Sequence, residues 1–323
     1  MNRAHEPAVT VVMPLYNKGA EVGRAIESVL GQTISDFELI VVNDGSTDNS
    51  LEIVRSINDS RIKIIDQENA GVSVARNRGI KEAKSDLIAF LDADDEWRPS
   101  FLETIFHLKE KFPTCKVFAT NYMYREVNGA KRLPIIRGLP SHPWEGVFDD
   151  YFNVASKSDP PLWTSALAVT KEAVSSVGLF PVGVTSGEDL LTWAKLALKY
   201  KIAYTTKACT IFYMPTDVSE RPGRFKNADD FVGNELVTLL GKASPDEKDS
   251  LKEYIGLWHK NRSVTFLNLG EQQKARHELR LMARFSGKTN KWYLYTILSV
   301  LPKGITRWFM KGLKIIGYLR RAA

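Results

Sequence analysis

Cysteine is scarce in this sequence. Among 323 residues there are only two, Cys115 and Cys209, which is too few for the dense disulfide framework of small secreted domains. The amino terminus, MNRAHEPAVTVVM, also lacks the long apolar stretch that follows the basic residues of a secretory signal. Both absences predict a protein that works in a reducing cytoplasm.

Long apolar runs are missing as well. A membrane-spanning helix needs about 20 predominantly apolar residues, and the nearest candidate, WYLYTILSVLP, has roughly half that length. The sequence therefore predicts no spanning helix. With 323 residues, it is long enough for a full α/β core and one appended region.

Acidic residues are absent from the carboxyl-terminal tail. Residues 279–323 contain ten Lys or Arg and no Asp or Glu. The remainder has 34 basic and 38 acidic residues, so the net charge of +6 comes from the tail alone. In a helix the tail would carry apolar residues on one face (Ile305, Trp308, Phe309, Leu313, Ile316) and basic residues on another (Arg307, Lys311, Lys314, Arg321).

A basic amphipathic helix of this kind is typical of segments that lie on anionic membranes. We therefore predict a cytoplasmic protein held peripherally on the inner face of the cytoplasmic membrane. Alternatively, the apolar face packs on the rest of the chain or on a second subunit, which leaves a homo-oligomer open. Nucleic acid is not predicted as a partner, because the rest of the chain is net acidic and no recognition motif accompanies the tail.

Apolar strand segments alternate with helical segments along the first half of the chain. Strands are predicted in AVTVVMPL, FELIVVN, RIKIID and SDLIAFL, and helices over residues 21–30, 49–57, 73–84 and 101–116. This alternation predicts an α/β fold with a doubly wound, mostly parallel sheet. In such sheets, ligands bind beyond the carboxyl ends of the strands.

The strand signals end near Phe231. Beyond it the sequence predicts helices separated by turns at Gly241, Gly270 and Gly287. We therefore predict two parts, residues 1–224 with the sheet and residues 225–323 with an α-helical region.

Glycine-rich nucleotide loops are absent. The turn after the first strand reads PLYNKG, and neither Gly-x-Gly-x-x-Gly nor Gly-Lys-Ser/Thr occurs elsewhere. The segment GVSVA is similar to a serine-hydrolase elbow, but it ends in Ala and does not follow a strand. Dinucleotide binding, phosphate-loop chemistry and serine hydrolysis are therefore disfavoured.

Three carboxylates follow an apolar strand in the segment LIAFLDADDEW. Asp92, Asp94 and Asp95 would repel one another at the strand's carboxyl end and would be costly to remove from water. Either they form a hydrated turn and helix cap, or a cation holds them together. Hard cations such as Mg²⁺ and Mn²⁺ prefer oxygen ligands of this kind.

Five segments between about residues 8 and 215 together resemble the family 2 glycosyltransferases, inverting enzymes with a GT-A fold. They are VTVVMPLYNKGAEVGRAIESVLGQT, FELIVVNDGSTDNS, NAGVSVARNRGI, LIAFLDADDEW and GEDLLTWAKLAL, in the order seen in that family. The resemblance implies transfer of a sugar from a UDP-sugar to a hydroxyl acceptor. It also implies a Rossmann-like sheet.

The resemblance assigns the donor's base to the first two strands. Asp44 is similar to the residue that accepts the N3 hydrogen of uracil, and Pro14, Leu15 and Tyr16 would line the base pocket. Arg76 would contact the base or the diphosphate. Tyr16 as an interfacial core residue and Arg76 as a solvated side chain are the alternatives.

Helix capping competes with a binding role for several polar residues. Ser46 or Asp48 would cap the helix after the second strand, and Ser73 the helix after Gly71. Asp95 would share the acidic site or cap the turn before Trp97.

The metal and the catalytic base are likewise assigned by resemblance. Asp94 would bind Mg²⁺ or Mn²⁺ on the donor diphosphate, and Asp92 would face the ribose or share the metal. Asp189 would be the base that takes the acceptor's proton, with Glu188 beside it. Alternatively, both acids only stabilise the amino end of a helix.

The sequence departs from the family in one place. Many members have a Tyr-Arg-x-His-like stretch after the last strand, where this chain reads IFYMPTDVSERPGR, which leaves open whether Arg221 or Arg224 substitutes. The Gln-x-x-Arg-Trp motif of processive synthases is absent. We therefore predict a single addition to a saccharide or lipid-linked saccharide in bacterial surface polysaccharide or glycolipid assembly.

The acceptor is expected between two aromatic segments, HPWEGVFDDYF and PPLWTS, where Trp163 would stack on a sugar or belong to the core. Two other functions remain as alternatives. One is a catalytically inactive GT-A-like binding module, and the other is a nucleotidyltransferase of related architecture.

Overall fold

The computed structural model describes residues 6–214 and 230–322, with backbone only for residue 311 and residues 314–322. Its internal contacts divide the chain into two compact units, Met1–Pro222 and Gly223–Ala323. We call these the sheet unit and the helical unit. The predicted boundary after residue 224, together with Arg221 and Arg224, lies outside the described residues, so that division stays a prediction.

The sheet unit alternates strands and helices. Its strands are β1 Val9–Leu15, β2 Phe37–Asp44, β3 Ile62–Gln67, β4 Leu87–Phe90, β5 Glu96–Trp97, β6 Val117–Arg125, β7 Lys131–Arg132, β8 Glu145–Val147, β9 Leu167–Thr170 and β10 Ile202–Tyr213. Its helices are α1 Val22–Leu30, α2 Ser50–Ser56, α3 Val72–Glu82, α4 Phe101–Lys111, α5 Tyr151–Lys157, α6 Lys171–Ser176 and α7 Glu188–Ala197. A single 3₁₀ turn, Thr164–Ala166, precedes β9.

The sheet order is β3-β2-β1-β4-β9-β6-β10-β5, with β7 paired to β6 and β8 to β10. The first four strands are parallel, as are β6 and β10, whereas β9 runs antiparallel to both of its neighbours. Helices cross between the parallel strands as a doubly wound fold requires. The predicted mostly parallel α/β sheet is confirmed.

The sequence forms these elements because its apolar pattern suits burial. Every residue of β1 and β2 is buried, as expected for central strands covered on both faces. Helix α1 buries only the stripe Val22, Ala25, Ile26 and Val29.

Helix α3 lies unusually close to β1. A Cβ atom added at Gly79 would lie 2.3 Å from Cγ1 of Val12, so only glycine permits this approach. The helix begins at Val72 after Gly71, whose φ of 92° belongs to the left-handed side. Ser73 is buried and makes no cap hydrogen bond, so the predicted Ser73 cap is wrong.

The helical unit contains five helices in its described part, residues 230–322. They are α8 Phe231–Leu239, α9 Pro245–Leu269, α10 Gln272–Ser286, α11 Asn290–Val300 and α12 Lys303–Ala322. A capping box between Ser244 and Glu247 begins α9, and Gly270, with φ of 77°, ends it. None of the helices in the described ranges combines the length and apolar character needed to cross a membrane.

The helical unit has its own buried core and a buried ion-pair cluster. Glu278 on α10 accepts hydrogen bonds from His259 Nδ1 (2.7 Å) and Arg262 Nε (2.8 Å) on α9. Asp230 caps α8 through Gly233 N–H and also pairs with Arg262 at 3.2 Å. The contacts among these four side chains connect α8, α9 and α10.

Candidate active site

The carboxyl ends of β2, β1 and β4 lie side by side along one edge of the sheet. Asp44 ends β2, Pro14 and Leu15 end β1, and the acidic segment beginning at Asp92 follows β4. Sheet order therefore brings residues that are far apart in sequence to one edge, where doubly wound sheets bind their ligands.

A tight turn holds the acidic segment. The Asp95 N–H donates to the Asp92 carbonyl at 3.0 Å, and the Asp92 N–H donates to Ser165 Oγ at 3.1 Å. Asp95 is buried and accepts a hydrogen bond from Trp163 Nε1 at 3.1 Å. The Asp94 side chain is 39% exposed, compared with 26% for Asp92, so it is the carboxylate of this segment that a ligand can reach most easily.

The ammonium group of Lys18 forms an ion pair with Asp94. Its Nζ lies 2.8 Å from Asp94 Oδ2, and Arg24 Nη2 donates to the Asp94 carbonyl at 2.8 Å. Burial lowers the pKa of Lys18, but the charge and hydrogen bond of Asp94, together with the charges of Glu21 and Asp92, outweigh this and raise it. Lys18 was not predicted as a site residue. Its position in the turn after β1, at the carboxyl edge of the sheet, was the one feature of the sequence that pointed to it.

The acidic segment contains more negative charge than its surroundings compensate. Burial raises the pKa of Asp92, and Asp94 raises it further against the opposing effect of Arg76. Burial and the neighbouring Asp94 and Asp92 place the pKa of Asp95 well above its usual range. Oxygen ligands, repulsion between them and an ammonium on Asp94 all fit a divalent cation at this position.

Arg76 is buried between two carboxylates. Its Nη2 donates to Asp92 Oδ1 at 2.8 Å and its Nη1 to Glu188 Oε1 at 3.1 Å. Burial lowers the pKa of Arg76, but these two acids outweigh that effect and raise it. The alternative of a solvated Arg76 side chain is therefore excluded, whereas the predicted contact of Arg76 with the base or diphosphate stays a prediction.

Arg76 fixes the first turn of α7 against the acidic segment. Glu188 and Asp189 begin α7 after Gly187, whose φ is 83°. Burial, and then the adjacent Asp189, raise the pKa of Glu188 against the effect of Arg76. Asp189 also raises the pKa of Asp92, so the predicted base lies close enough to the acidic segment to interact with it.

The turn Thr164–Ala166 joins the same two elements from the other side. Thr164 Oγ1 donates to Asp189 Oδ2 at 3.3 Å, while Ser165 Oγ accepts the Asp92 N–H. The sequence analysis predicted PPLWTS, together with HPWEGVFDDYF, as a border of the acceptor site, but it did not predict these two hydroxyl contacts. Trp163 is half-buried, with its ring centroid 4.4 Å from that of Phe212.

Asn77 adds a second link between α3 and the chain before α7. Its side chain donates to the Phe180 carbonyl at 2.8 Å and accepts from the Phe180 N–H at 3.0 Å. Phe180 lies under Arg76, 5.2 Å from the ring centroid to Cζ. The polar residue Asn77 next to Arg76 is visible in the sequence segment ARN, but its partner Phe180 could not be predicted from that segment.

The predicted base pocket has one buried acid and one exposed aromatic residue. Asp44 accepts hydrogen bonds from Gln67 Nε2, Ala70 N–H and Gly71 N–H at 2.8 to 2.9 Å. Two carboxylate oxygens have about four acceptor positions, so one remains for a ligand. Tyr16 is 49% exposed, which excludes the alternative of a core residue.

A second group of potential metal ligands lies in the helical unit. Ligand atoms of Asp230, His259 and Glu278 fall within 4.8 Å of one another. Arg262 Nε, at 2.8 and 3.2 Å from the two carboxylates, already neutralises this group. It is separate from the residues predicted to bind the donor's metal.

Known proteins resemble this chain in both sequence and structure. Residues 10–166 match the model of Glycosyl transferase family 2. The uncharacterized glycosyltransferase YibD of Escherichia coli is 46% identical over 99 residues, covering 30% of this chain and 29% of that protein. An uncharacterized glycosyltransferase of Nostoc is 32% identical over 211 residues, covering 63% and 62%. The chain thus spans less than two thirds of either relative.

Solved structures share the fold at low identity. Staphylococcus aureus TarS 1-349 in complex with UDP-GlcNAc aligns with a TM-score of 0.67 and 20% identity, over 86% of this chain and 81% of that chain. The Pyrobaculum calidifontis mannosyltransferase PcManGT, in complex with GDP-Man and Mn²⁺, aligns with a TM-score of 0.59 and 19% identity, over 98% and 88%. The predicted GT-A fold is confirmed. Sequence and fold thus agree on what this chain is similar to: its residues 10–166 match glycosyl transferase family 2.

Proposed function

We propose that this chain is an inverting, metal-dependent glycosyltransferase that moves one sugar from a UDP-sugar to a hydroxyl acceptor. The observation that carries the proposal is the placement of Asp189 beside the acidic segment, fixed by Arg76 between Asp92 and Glu188. One site thus contains both carboxylates that can bind a cation on the donor diphosphate and a carboxylate that can take the proton of the acceptor hydroxyl.

Asp189 has the contacts expected of an oriented base. Thr164 Oγ1 donates to its Oδ2 and the Leu190 N–H donates to its Oδ1 at 2.8 Å. These hydrogen bonds fix the carboxylate, while each oxygen keeps a lone pair for the acceptor's proton. In the transfer, the acceptor oxygen bonds to the anomeric carbon as its proton passes to Asp189. The bond from that carbon to the diphosphate oxygen breaks, and UDP leaves with the electron pair.

Asp94 is the residue that would hold Mg²⁺ or Mn²⁺. Such an ion supplies Lewis-acid stabilisation of the departing diphosphate when it is bound. Lys18 and Arg24 keep the Asp94 segment in place from the β1 side. The resemblance assigns the uracil of the donor to Asp44 and Tyr16. Asp44 is a buried acceptor at the end of β2, and Tyr16 is an exposed ring directly after β1.

The acceptor is proposed to be a saccharide or lipid-linked saccharide of bacterial surface polysaccharide or glycolipid assembly. TarS with UDP-GlcNAc and PcManGT with GDP-Man and Mn²⁺ support a nucleotide-sugar donor. They differ in the base, so the choice of UDP rests on the resemblance that assigns Asp44 to uracil.

A screen of UDP- and GDP-sugars, each with and without Mn²⁺, tests the proposal. The expected result is metal-dependent release of nucleoside diphosphate from one UDP-sugar. Turnover of a GDP-sugar alone would overturn the base assignment. Binding of UDP by isothermal titration without turnover of any donor would instead identify a binding module.

A further inference from the structure

Helices α11 and α12 expose a set of large apolar side chains. These are Tyr293, Leu294, Ile297 and Val300 on α11, and Ile305, Trp308 and Phe309 on α12, with exposed fractions from 38% to 71%. Within each helix the residues are spaced by three or four positions and share one face. Apolar residues exposed together, rather than singly, mark an interaction surface.

The opposite faces of both helices are packed, so the exposed face is set by the fold. Leu298 and Met310 join the core formed by Phe266 and Leu267 of α9. Thr306 Oγ1 donates to the Leu298 carbonyl at 2.8 Å, which ties α12 to α11. The packing of the inner faces therefore determines which residues of α11 and α12 are exposed.

The structure changes the apolar face that the sequence predicts for the tail. Ile305, Trp308 and Phe309 are exposed as expected, but Leu313 packs partly against the α9 core. The side chain of Ile316 lies outside the described residues. Helix α11, which the prediction did not include, contributes four residues in place of these two.

The positive charge of this region favours an anionic partner over a second copy of the chain. Residues 279–323 have ten basic and no acidic residues, and Lys303 and Arg307 are exposed beside the α12 apolar face. Two copies meeting through this surface would bring two basic tails of like charge together. An anionic lipid surface attracts these charges and accepts the apolar side chains, and tryptophan and tyrosine are enriched where membranes meet water.

We propose that α11 and α12 form a docking surface for an anionic bilayer, which we call the α11–α12 surface. Apolar side chains enter the headgroup region while Lys303 and Arg307 contact lipid phosphates. This would hold the protein on the inner, cytoplasmic face of a membrane without spanning it. The inference does not depend on the donor site, so its failure would leave the proposed transferase function untouched.

Co-sedimentation of the full chain with phosphatidylglycerol vesicles and with phosphatidylcholine vesicles tests the proposal. Wild-type protein is expected to bind the anionic vesicles, and added salt is expected to weaken binding. The double variant Lys303→Gln/Arg307→Gln should bind about 30-fold more weakly, at about fivefold for each basic residue. The double variant Trp308→Ser/Phe309→Ser should lose at least about tenfold.

Matched controls come from exposed residues of the sheet unit. Lys84→Gln/Lys109→Gln removes two exposed charges, and Leu133→Ser/Val182→Ser removes two exposed apolar side chains. Both controls should bind like wild type. Equal sedimentation of the α11–α12 variants and these controls, or no binding of wild type to phosphatidylglycerol vesicles, would overturn the proposal.

Two further measurements separate a lipid contact from misfolding and from self-association. Brominated lipid should quench part of the tryptophan fluorescence of wild type, and Trp308→Phe should keep vesicle binding while losing much of that quenching. Light scattering of the free protein should give the same mass for wild type and Trp308→Ser/Phe309→Ser. A dimer that only this double variant dissociates would identify the surface as a subunit contact instead.

Discussion

Each unit of the molecule contains one arginine buried against two carboxylates, and the two clusters differ in their balance of charge. Arg76 pairs with Asp92 and Glu188 in the sheet unit, and Arg262 pairs with Asp230 and Glu278 in the helical unit. Each arginine side chain is at most 4% exposed. Geometry alone would therefore suggest the same role for both.

The charges around each arginine differ, and this difference indicates a ligand site around Arg76 and a structural cluster around Arg262. Around Arg76, the additional acids Asp94 and Asp189 contribute to raising the pKa of Asp92 or Glu188 beyond the effect of burial. Around Arg262, burial would raise the pKa of Glu278, but the hydrogen bonds and charges of His259 and Arg262 together outweigh it and lower the pKa. An excess of buried negative charge calls for a cationic ligand, whereas a compensated cluster stabilises packing.

The largest expected effect concerns Asp189, an acid of the uncompensated cluster. Asp189→Asn should lower turnover by about 10² to 10⁴, because the amide has a similar shape but cannot take the acceptor's proton. UDP affinity should stay unchanged in isothermal titration. Glu172→Gln, in the first turn of α6 and exposed, is the matched control. A loss below about tenfold would reduce Asp189 to a helix cap.

The two arginines can be compared directly. Arg76→Met and Arg262→Met should each cost about 3 to 5 kcal/mol in the free energy of unfolding, because each leaves buried carboxylates unpaired. Mn²⁺ should raise the melting temperature of wild type, and this stabilisation should be lost in Asp94→Ala but kept in Glu278→Gln, because Arg262 already neutralises the second cluster. Equal loss of the Mn²⁺ response in Asp94→Ala and Glu278→Gln would contradict the distinction between the clusters.

Asp94 is predicted to couple UDP binding to the metal. Asp94→Ala should weaken UDP affinity in the presence of Mn²⁺ by about 10- to 100-fold, the range for losing a contact to a charged group. Thermal stability should hold, because Asp94 lies in a partly exposed turn. Asp86→Ala, an exposed acid before the other end of β4, should bind UDP like wild type. Unchanged UDP affinity in Asp94→Ala would remove Asp94 from the metal site.

The clusters should also differ in their response to pH. The pKa of Glu278 is lowered in the folded state, so its contribution to stability is present above its unfolded pKa and is lost as pH falls through the folded pKa. The pKa values of Asp92 and Glu188 are raised, so their ionisation destabilises the fold as pH rises.

Urea unfolding at several pH values measures this difference. The stability gap between wild type and Glu278→Gln should shrink as pH falls below about 4, the usual range of a glutamate carboxyl. Mn²⁺ should stabilise wild type more at pH 7 than at pH 4, because the raised pKa values of Asp92 and Asp95 favour their neutral forms as pH falls. A gap for Glu278→Gln that is independent of pH would show that its hydrogen bonds, rather than its charge, stabilise α9 and α10.

Lys18 is expected to give the smallest effect on stability. Its ion pair with Asp94 is partly exposed, at 39% for both side chains, and such pairs contribute about 0 to 1 kcal/mol. Lys18→Met should therefore change the melting temperature little, while Mn²⁺ affinity rises because a competing cation is gone. Mn²⁺ titration followed by electron paramagnetic resonance measures this. Weaker Mn²⁺ binding in Lys18→Met would show that Lys18 supports the metal site.

The alternation of buried strands and amphipathic helices could be read from the sequence because local patterns set it. β1 and β2 were predicted from continuous apolar runs, and the placement of Asp92 after a strand followed from the polar residues that end β4. Helix ends were less accurate. The fourth helix, predicted over 101–116, ends at Lys111, and the residues after it lead into β6.

The contacts within the site could not be read from the sequence in the same way. The Arg76 and Glu188 side chains are 112 positions apart in the chain, and Asp92 and Ser165 are 73 apart. Such pairs depend on which strands are neighbours and on how closely α3 approaches β1 at Gly79. Lys18 was overlooked because a lysine in a turn has no local pattern that names its partner.

The sequence by itself determined the order of elements, the residue types at the strand ends and the basic charge of the tail, since each depends on composition or on periodicity along the chain. Tertiary structure decided which carboxylates share Arg76, which share Arg262, and which apolar residues of α11 and α12 face outward. The physical reason is that burial and pairing energies are properties of a shared environment. Thr306 and Met310 are buried and Trp308 is exposed because of what α9 and α11 place beside them.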